Sequence, residues 1–164
     1  MIREGLLTKD DRVELLDGLL IAKPRLSPQH ATAVGLVADI LREVLPETYC
    51  LRQSHSVTLA ESEPEPDVAV VRGGHRDYRD RHPHAEDCSL LVEVADSSLA
   101  RDTYKARLYA AAGVHEYWIL DLPNRHLIVH RNPSADGYGD VSTGDVAETV
   151  VGDATLRVDV AELP

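Results

Sequence analysis

The chain is short of cysteine, of lysine and of long apolar runs, and each shortage excludes something. Only Cys50 and Cys88 occur, far apart and in no CxxC pair, so a disulfide scaffold and a zinc finger both fail. No apolar stretch approaches the roughly 20 residues that a helix needs to span a bilayer. The opening Met-Ile-Arg-Glu-Gly-Leu-Leu-Thr-Lys-Asp-Asp lacks the basic-then-apolar build of a secretory leader, so the cytoplasm is the expected compartment and no membrane is expected as a partner. Lysine occurs three times against fourteen arginines.

What is present suits one soluble globular domain. The 164 residues are 43% hydrophobic and 27% charged, enough to bury a core without a metal or disulfide staple. The net charge of −11 argues against a nucleic-acid partner, because phosphate contacts need cations. Its distribution softens that argument. Residues 136–164 have seven acids and one base, Arg157, and form an acidic C-terminal tail with a net charge of −6. Residues 72–82 instead hold four arginines and two histidines against Asp77 and Asp80.

Along the chain, Val13-Glu14-Leu15-Leu16 and Leu19-Leu20-Ile21-Ala22 flank Asp17-Gly18, which predicts an N-terminal β-hairpin with a type I′ turn. Ala33, Val37, Ile40, Leu41 and Val44 recur at helical spacing over 29–45, and Pro46 ends the pattern. A moderate strand is expected over 49–60, and short buried ones over 67–71 and 89–95. A second helix is expected over 98–112, closed by Gly113, then strands over 115–121 and 125–131 and weaker ones near 147–151 and 155–160. Strand, helix and strand across 89–121 make a crossover unit, hence a parallel pair in a mixed sheet. The class is α/β (α+β), with a mixed β-sheet flanked by helices.

Two carboxylates stand where apolar side chains belong. Asp67 opens Val-Ala-Val-Val, and Glu93 interrupts Leu-Leu-Val-Glu-Val. A turn cap and a solvent-facing strand residue are the bland readings. Buried side by side, the two would repel unless a proton or cation neutralised them, and paired oxygen ligands select magnesium or manganese over zinc. At about 100° per residue, Asp102, Lys105 and Tyr109 share an arc of about 60° on the second helix. They border an apolar stripe of Leu99, Thr103, Ala106 and Ala110, which is expected to dock on the sheet. The polar loop over 72–84 reads either as a basic arm gripping a phosphate backbone near Asp67, through Arg72, Arg76 and Arg79, or as a solvated loop of paired charges.

Pro66-Asp67-Val-Ala-Val-Val, Leu91-Val-Glu93-Val-Ala-Asp-Ser-Ser98, Arg101-Asp102-Thr-Tyr-Lys105 with Tyr109, and Gly113-Val-His-Glu-Tyr-Trp118-Ile-Leu-Asp121 together resemble the Uma two family of putative restriction endonucleases. Glu14-Leu-Leu-Asp-Gly18 and His30 are similar to its first elements. The resemblance implies the restriction-endonuclease-like fold of the PD-(D/E)XK superfamily: one domain, a divalent metal (Mg or Mn), DNA as substrate and a homodimer. It makes Asp67 and Glu93 the metal ligands. The superfamily lysine would stand at position 95, which is Ala95 here, and Lys105, with Asp102 beside it, is expected in its place. Glu14 and His30 are expected to complete the catalytic set. Arg101 and Tyr109 join the three loop arginines as expected substrate contacts. A catalytically silent domain that binds nucleic acid or protein, and a nuclease for RNA or branched DNA, are the rival expectations.

Overall fold

The computed structural model describes residues 12–164; residues 1–11, where a leader was sought, lie outside the described residues. Strands β1 (Val13–Leu16) and β2 (Leu19–Ala22) pair antiparallel as the first hairpin. Asp17 and Gly18 have φ of 52° and 74°, the backbone that a type I′ turn requires. Helix α1 (Pro28–Val44) starts at Ser27, whose hydroxyl accepts the His30 N–H, with Pro28 where a helix has an N–H to spare.

Strands β3 (Tyr49–Gln53), β4 (Val68–Arg72) and β5 (Cys88–Ala95) lead to helix α2 (Leu99–Ala111), followed by β6 (Glu116–Asp121), β7 (His126–Ser134) and β8 (Gly137–Gly144). These six strands form one sheet in the order β3-β4-β5-β6-β7-β8, parallel only at β5–β6, where α2 makes the crossover. The strand expected over 49–60 stops early. Ser54 turns to φ 52° and sends its N–H to the carbonyls of Pro66 and Asp67, which takes the chain off the sheet edge.

Alternation along the strands makes two cores. Val68, Val70, Val92 and Val94 face α1, through Ala33, Val37 and Leu41. Ala69, Leu91, Ala95 and Ile119 face α2, through Ala106 and Tyr109. Trp118 is fully buried because its indole N–H finds Glu116 Oε1 at 2.6 Å.

The acidic stretch after residue 136 is folded. β8 is the outermost strand of the sheet, and β9 (Val146–Val151) with β10 (Ala154–Asp159) forms a hairpin that packs Ala147, Val151, Leu156 and Val158 onto the α1 side. Most of its carboxylates occupy exposed positions. Among the described residues no helix is long and apolar enough to cross a membrane.

The docking face of α2 differs from the expected stripe. Thr103 is exposed and Leu99 half-buried, whereas Asp102, Lys105 and Tyr109 are buried with Ala106 and Ala110. Partners across the sheet explain why such polar groups can face inward.

Candidate active site

Antiparallel register brings the two strand carboxylates together. Val68 pairs with Val92 and Ala69 with Leu91, so one step further along Asp67 comes opposite Glu93. Asp67 Oδ2 accepts the Val94 N–H at 2.8 Å and lies 3.1 Å from His30 Nε2, because the first turn of α1 ends above the same strand ends. Burial works against the charged imidazole, but the Asp67 hydrogen bond and charge outweigh it, so the His30 pKa is raised.

Lys105 bridges two buried acids. Its ammonium is 2.8 Å from Glu93 Oε1 and 2.8 Å from Glu14 Oε2, with only 2% of the side chain exposed. The Glu65 N–H also donates to Glu14 Oε2, at 3.3 Å, and Arg101 Nε approaches Glu14 Oε1 to 3.6 Å. Asp102 accepts the Ser98 hydroxyl within the first turn of α2. Burial disfavours the Lys105 ammonium, yet Glu93 and Glu14 prevail and its pKa is raised. Burial pushes Glu93 well up, with Lys105 opposing and Asp67 and Asp102 adding to it. Asp102 is also raised by burial, against its Ser98 hydrogen bond.

A pocket of about 320 Å³ opens over these groups. Asp67, Glu93, Asp102 and Lys105 line it together with His30 and Arg101. Glu14 lies beneath, holding Lys105 from the hairpin side. Tyr109, expected to touch substrate, is fully buried, with its hydroxyl 3.5 Å from Glu93 Oε1 and its ring edge-to-face on Tyr117. It backs Glu93 rather than facing the pocket.

Arg72, Arg76 and Arg79 are not among the lining residues. Asp67 precedes β4 and Arg72 ends it, so the loop leaves from the opposite end of that strand, roughly 16 Å away at about 3.3 Å per residue. There the charges pair locally, Arg79 with Asp80 at 2.9 Å and Arg81 with Asp87 at 2.6 Å, and Arg52 and Arg81 both stack on the Tyr78 ring. Besides Lys105, the Lys and Arg side chains at the pocket are instead Arg12, Lys23, Arg25 and Arg101. The sequence alone did not point to the first three; the only signal was Lys23-Pro24-Arg25 directly after the expected hairpin, with Arg12 directly before it.

Among the described residues, no group of three or more His, Cys, Asp or Glu side chains is arranged as a complete metal cage. Two carboxylates are nevertheless the usual protein share for magnesium, which keeps several waters and takes further oxygens from phosphate.

A mixed sheet flanked by helices, with acids and a lysine meeting where two strands end, defines a protein of the nuclease fold. The family described as Uma2, putative restriction endonuclease, matches residues 4–161, and the chain belongs to it. The crystal structure of a putative nuclease belonging to DUF820 from Anabaena variabilis ATCC 29413 has the same fold, with a TM-score of 0.75 at 16% identity over 98% of this chain and 93% of that chain. None of the curated proteins matches the chain.

Proposed function

We propose that the chain is a metal-dependent endonuclease that hydrolyses phosphodiester bonds of DNA, with Mg²⁺ or Mn²⁺ held by Asp67 and Glu93. The observation that carries this reading is the meeting of Asp67, Glu93 and Lys105 in one pocket, with the ammonium 2.8 Å from Glu93 Oε1. When bound, the cation supplies Lewis-acid polarisation of the phosphoryl oxygens and lowers the pKa of a water.

The protein's own groups do the rest. His30 and the Val94 N–H both engage Oδ2 of Asp67, which orients that carboxylate and leaves its other oxygen for the cation. Lys105, with its raised pKa, stays protonated, so it acts as a hydrogen-bond donor and positive charge rather than as a base. It orients the attacking water and offsets the charge that develops on the phosphate. Glu14 positions Lys105 from the hairpin, and Asp102 completes the acidic wall. A homodimer acting in the cytoplasm, one pocket per strand, would cut a duplex through.

Incubation of supercoiled plasmid with purified protein and Mg²⁺, Mn²⁺ or EDTA tests the reading, beside Asp67→Ala, Glu93→Ala and Lys105→Ala checked for folding by circular dichroism. Metal-dependent nicking that all three folded variants lose is the expected result. Cation binding without cleavage of plasmid, RNA or branched DNA would overturn it in favour of a silent binding domain.

A further inference from the structure

We infer that this nuclease grips its substrate by the phosphate backbone alone, through Arg12, Lys23, Arg25 and Arg101, and therefore acts without regard to base sequence. The inference rests on the nuclease reading above and adds to it a substrate class and the residues that select it.

The first observation is where the cations are. In a chain with 17 basic and 28 acidic residues, these four stand together around one opening. Their placement is built by the backbone. The Lys23 N–H donates to the Arg12 carbonyl at 2.8 Å, so the two flank the base of the first hairpin. Arg101 Nη1 donates to the Ala22 carbonyl at 3.3 Å and ties α2 to the end of β2, where an extended strap of residues 23–27 begins. Pro24 holds the strap extended between Lys23 and Arg25, because a fixed φ and a missing N–H keep it out of helix and ladder. Arg12 and Arg25 are exposed, as residues meeting phosphates outside the pocket must be.

The second observation is what accompanies the cations. Base edges are read by amides and arginines, and unpaired bases are held by aromatic platforms. Among the described residues lining the pocket there is no Asn, Gln, Phe, Tyr or Trp, and the one ring, His30, is held on Asp67 at 3.1 Å. The whole chain has only two Asn and two Gln. The uncharged polar residues that join the cations are serines, Ser27, Ser54, Ser97 and Ser98; the acids beside them, apart from the carboxylates of the site itself, are Asp96 and Glu65, which pairs with Lys23 at 2.6 Å. Short hydroxyls and cations contact phosphate oxygens, which carry no sequence information. The arginines could reach guanine, but they ring a cluster of carboxylates that only a phosphate with its metal would approach.

Fluorescence anisotropy with labelled duplexes of several unrelated sequences reads the grip directly. Carrying it out in the Glu93→Gln background keeps the probe from being consumed. The expected result is one affinity for all sequences. Arg12→Ala/Arg25→Ala should weaken every complex by the same factor, about tenfold, and lower the slope of log affinity against log salt by about two, one for each lost phosphate contact. Arg76→Ala/Arg79→Ala, at the far end of β4, should change neither.

A preferred sequence, an effect confined to the Arg76/Arg79 variant, or no binding at all would each overturn the inference. Plasmid cleavage by the wild-type chain separates this from the reading beneath it. Binding that behaves as described without any cleavage sinks the nuclease and leaves the grip standing. Cleavage into fragments with fixed ends keeps the nuclease and sinks the grip.

Discussion

The Lys105 ammonium lies 2.8 Å from Glu93 Oε1, joining a helix to a strand residue twelve positions earlier in the chain. Ala95 explains how it gets there. Residues two apart on a strand share a face, so Glu93 and Ala95 both point toward α2. The small Ala95 side chain packs in the same buried cluster as Ala106 of that helix. A long side chain at 95 would hold α2 away. With alanine there the helix comes close, and Lys105 reaches Glu93 from it.

Lys105→Met separates that charge from its structural role. Removing the ammonium leaves Glu14 and Glu93 buried without their shared cation, which should cost about 3–5 kcal/mol. Lys105→Met/Glu14→Gln removes one of those stranded acids, so its urea midpoint should recover part of the loss. Its cleavage activity should stay absent. Recovery of cleavage together with stability would show that Lys105 only holds the fold.

Glu93→Gln should make the metal-free protein more stable. Burial raises the Glu93 pKa well above the ordinary range, with Asp67 and Asp102 adding to it. An acid whose folded pKa is raised above its unfolded value destabilises the fold at neutral pH. A neutral isostere relieves that, and the thermal midpoint should rise by about 2–4 °C, the effect of about 1 kcal/mol in a domain of this size. Mn²⁺ should raise the midpoint of the wild type and leave the variant where it is. A lower midpoint for the variant in EDTA would show that the Lys105 ion pair outweighs the burial cost.

Asp67 and Glu93 were legible in the sequence because a carboxylate inside an apolar strand is a local anomaly, and their meeting needed only antiparallel register. Lys105 was legible through its helical phase and the scarcity of lysine. The buried polar face of α2 was not. Helical spacing shows which residues share a face, but Glu14 arrives from a hairpin 91 positions away and makes burial of the lysine affordable. The basic rim was hidden for the same reason: Lys23 is placed by its contact with Glu65, 42 positions on, at 2.6 Å. Of the two readings of the 72–84 loop, the basic arm rested on nearness in sequence to Asp67 and ignored the length of β4, whereas the local pairs Arg79–Asp80 and Arg81–Asp87 agree with the solvated loop of paired charges.

His130 should make stability fall in mild acid. It is buried between Tyr117 and Tyr138, with ring centroids 5.3 and 5.6 Å away, and burial lowers its pKa. A histidine depressed in the folded state binds its proton more readily when unfolded. Its stabilising contribution is therefore present above the unfolded pKa, about 6.5, and is lost as pH falls below it. His30, raised by Asp67, contributes with the opposite sign: its stabilisation is full below about 6.5 and lost as pH rises through its folded pKa. Comparing wild type with His130→Phe cancels His30. The midpoint of the wild type, relative to that variant, should drop between pH 7 and 5; a constant difference would place the titration elsewhere.

Neither cysteine should react while the chain is folded. Cys88 opens β5 with its thiol donating to the His84 carbonyl at 3.3 Å, and burial pushes its pKa up to about 12. Cys50 is also buried, and its pKa is raised by the same cause. Alkylation needs the thiolate, of which an exposed cysteine of pKa about 8.5 has a useful fraction at pH 8, whereas Cys88 has almost none and Cys50 has less than an exposed thiol. Iodoacetamide at pH 8 should leave the native protein unlabelled and modify both thiols in urea. Labelling of the native chain should then proceed only through opening, so stabilising it with Mn²⁺ should slow the reaction in the wild type and not in Asp67→Ala. Equal rates with and without the ion would mean that the start of β5 opens independently of the strand ends that hold Asp67 and Glu93, which the shared β4–β5 pairing argues against.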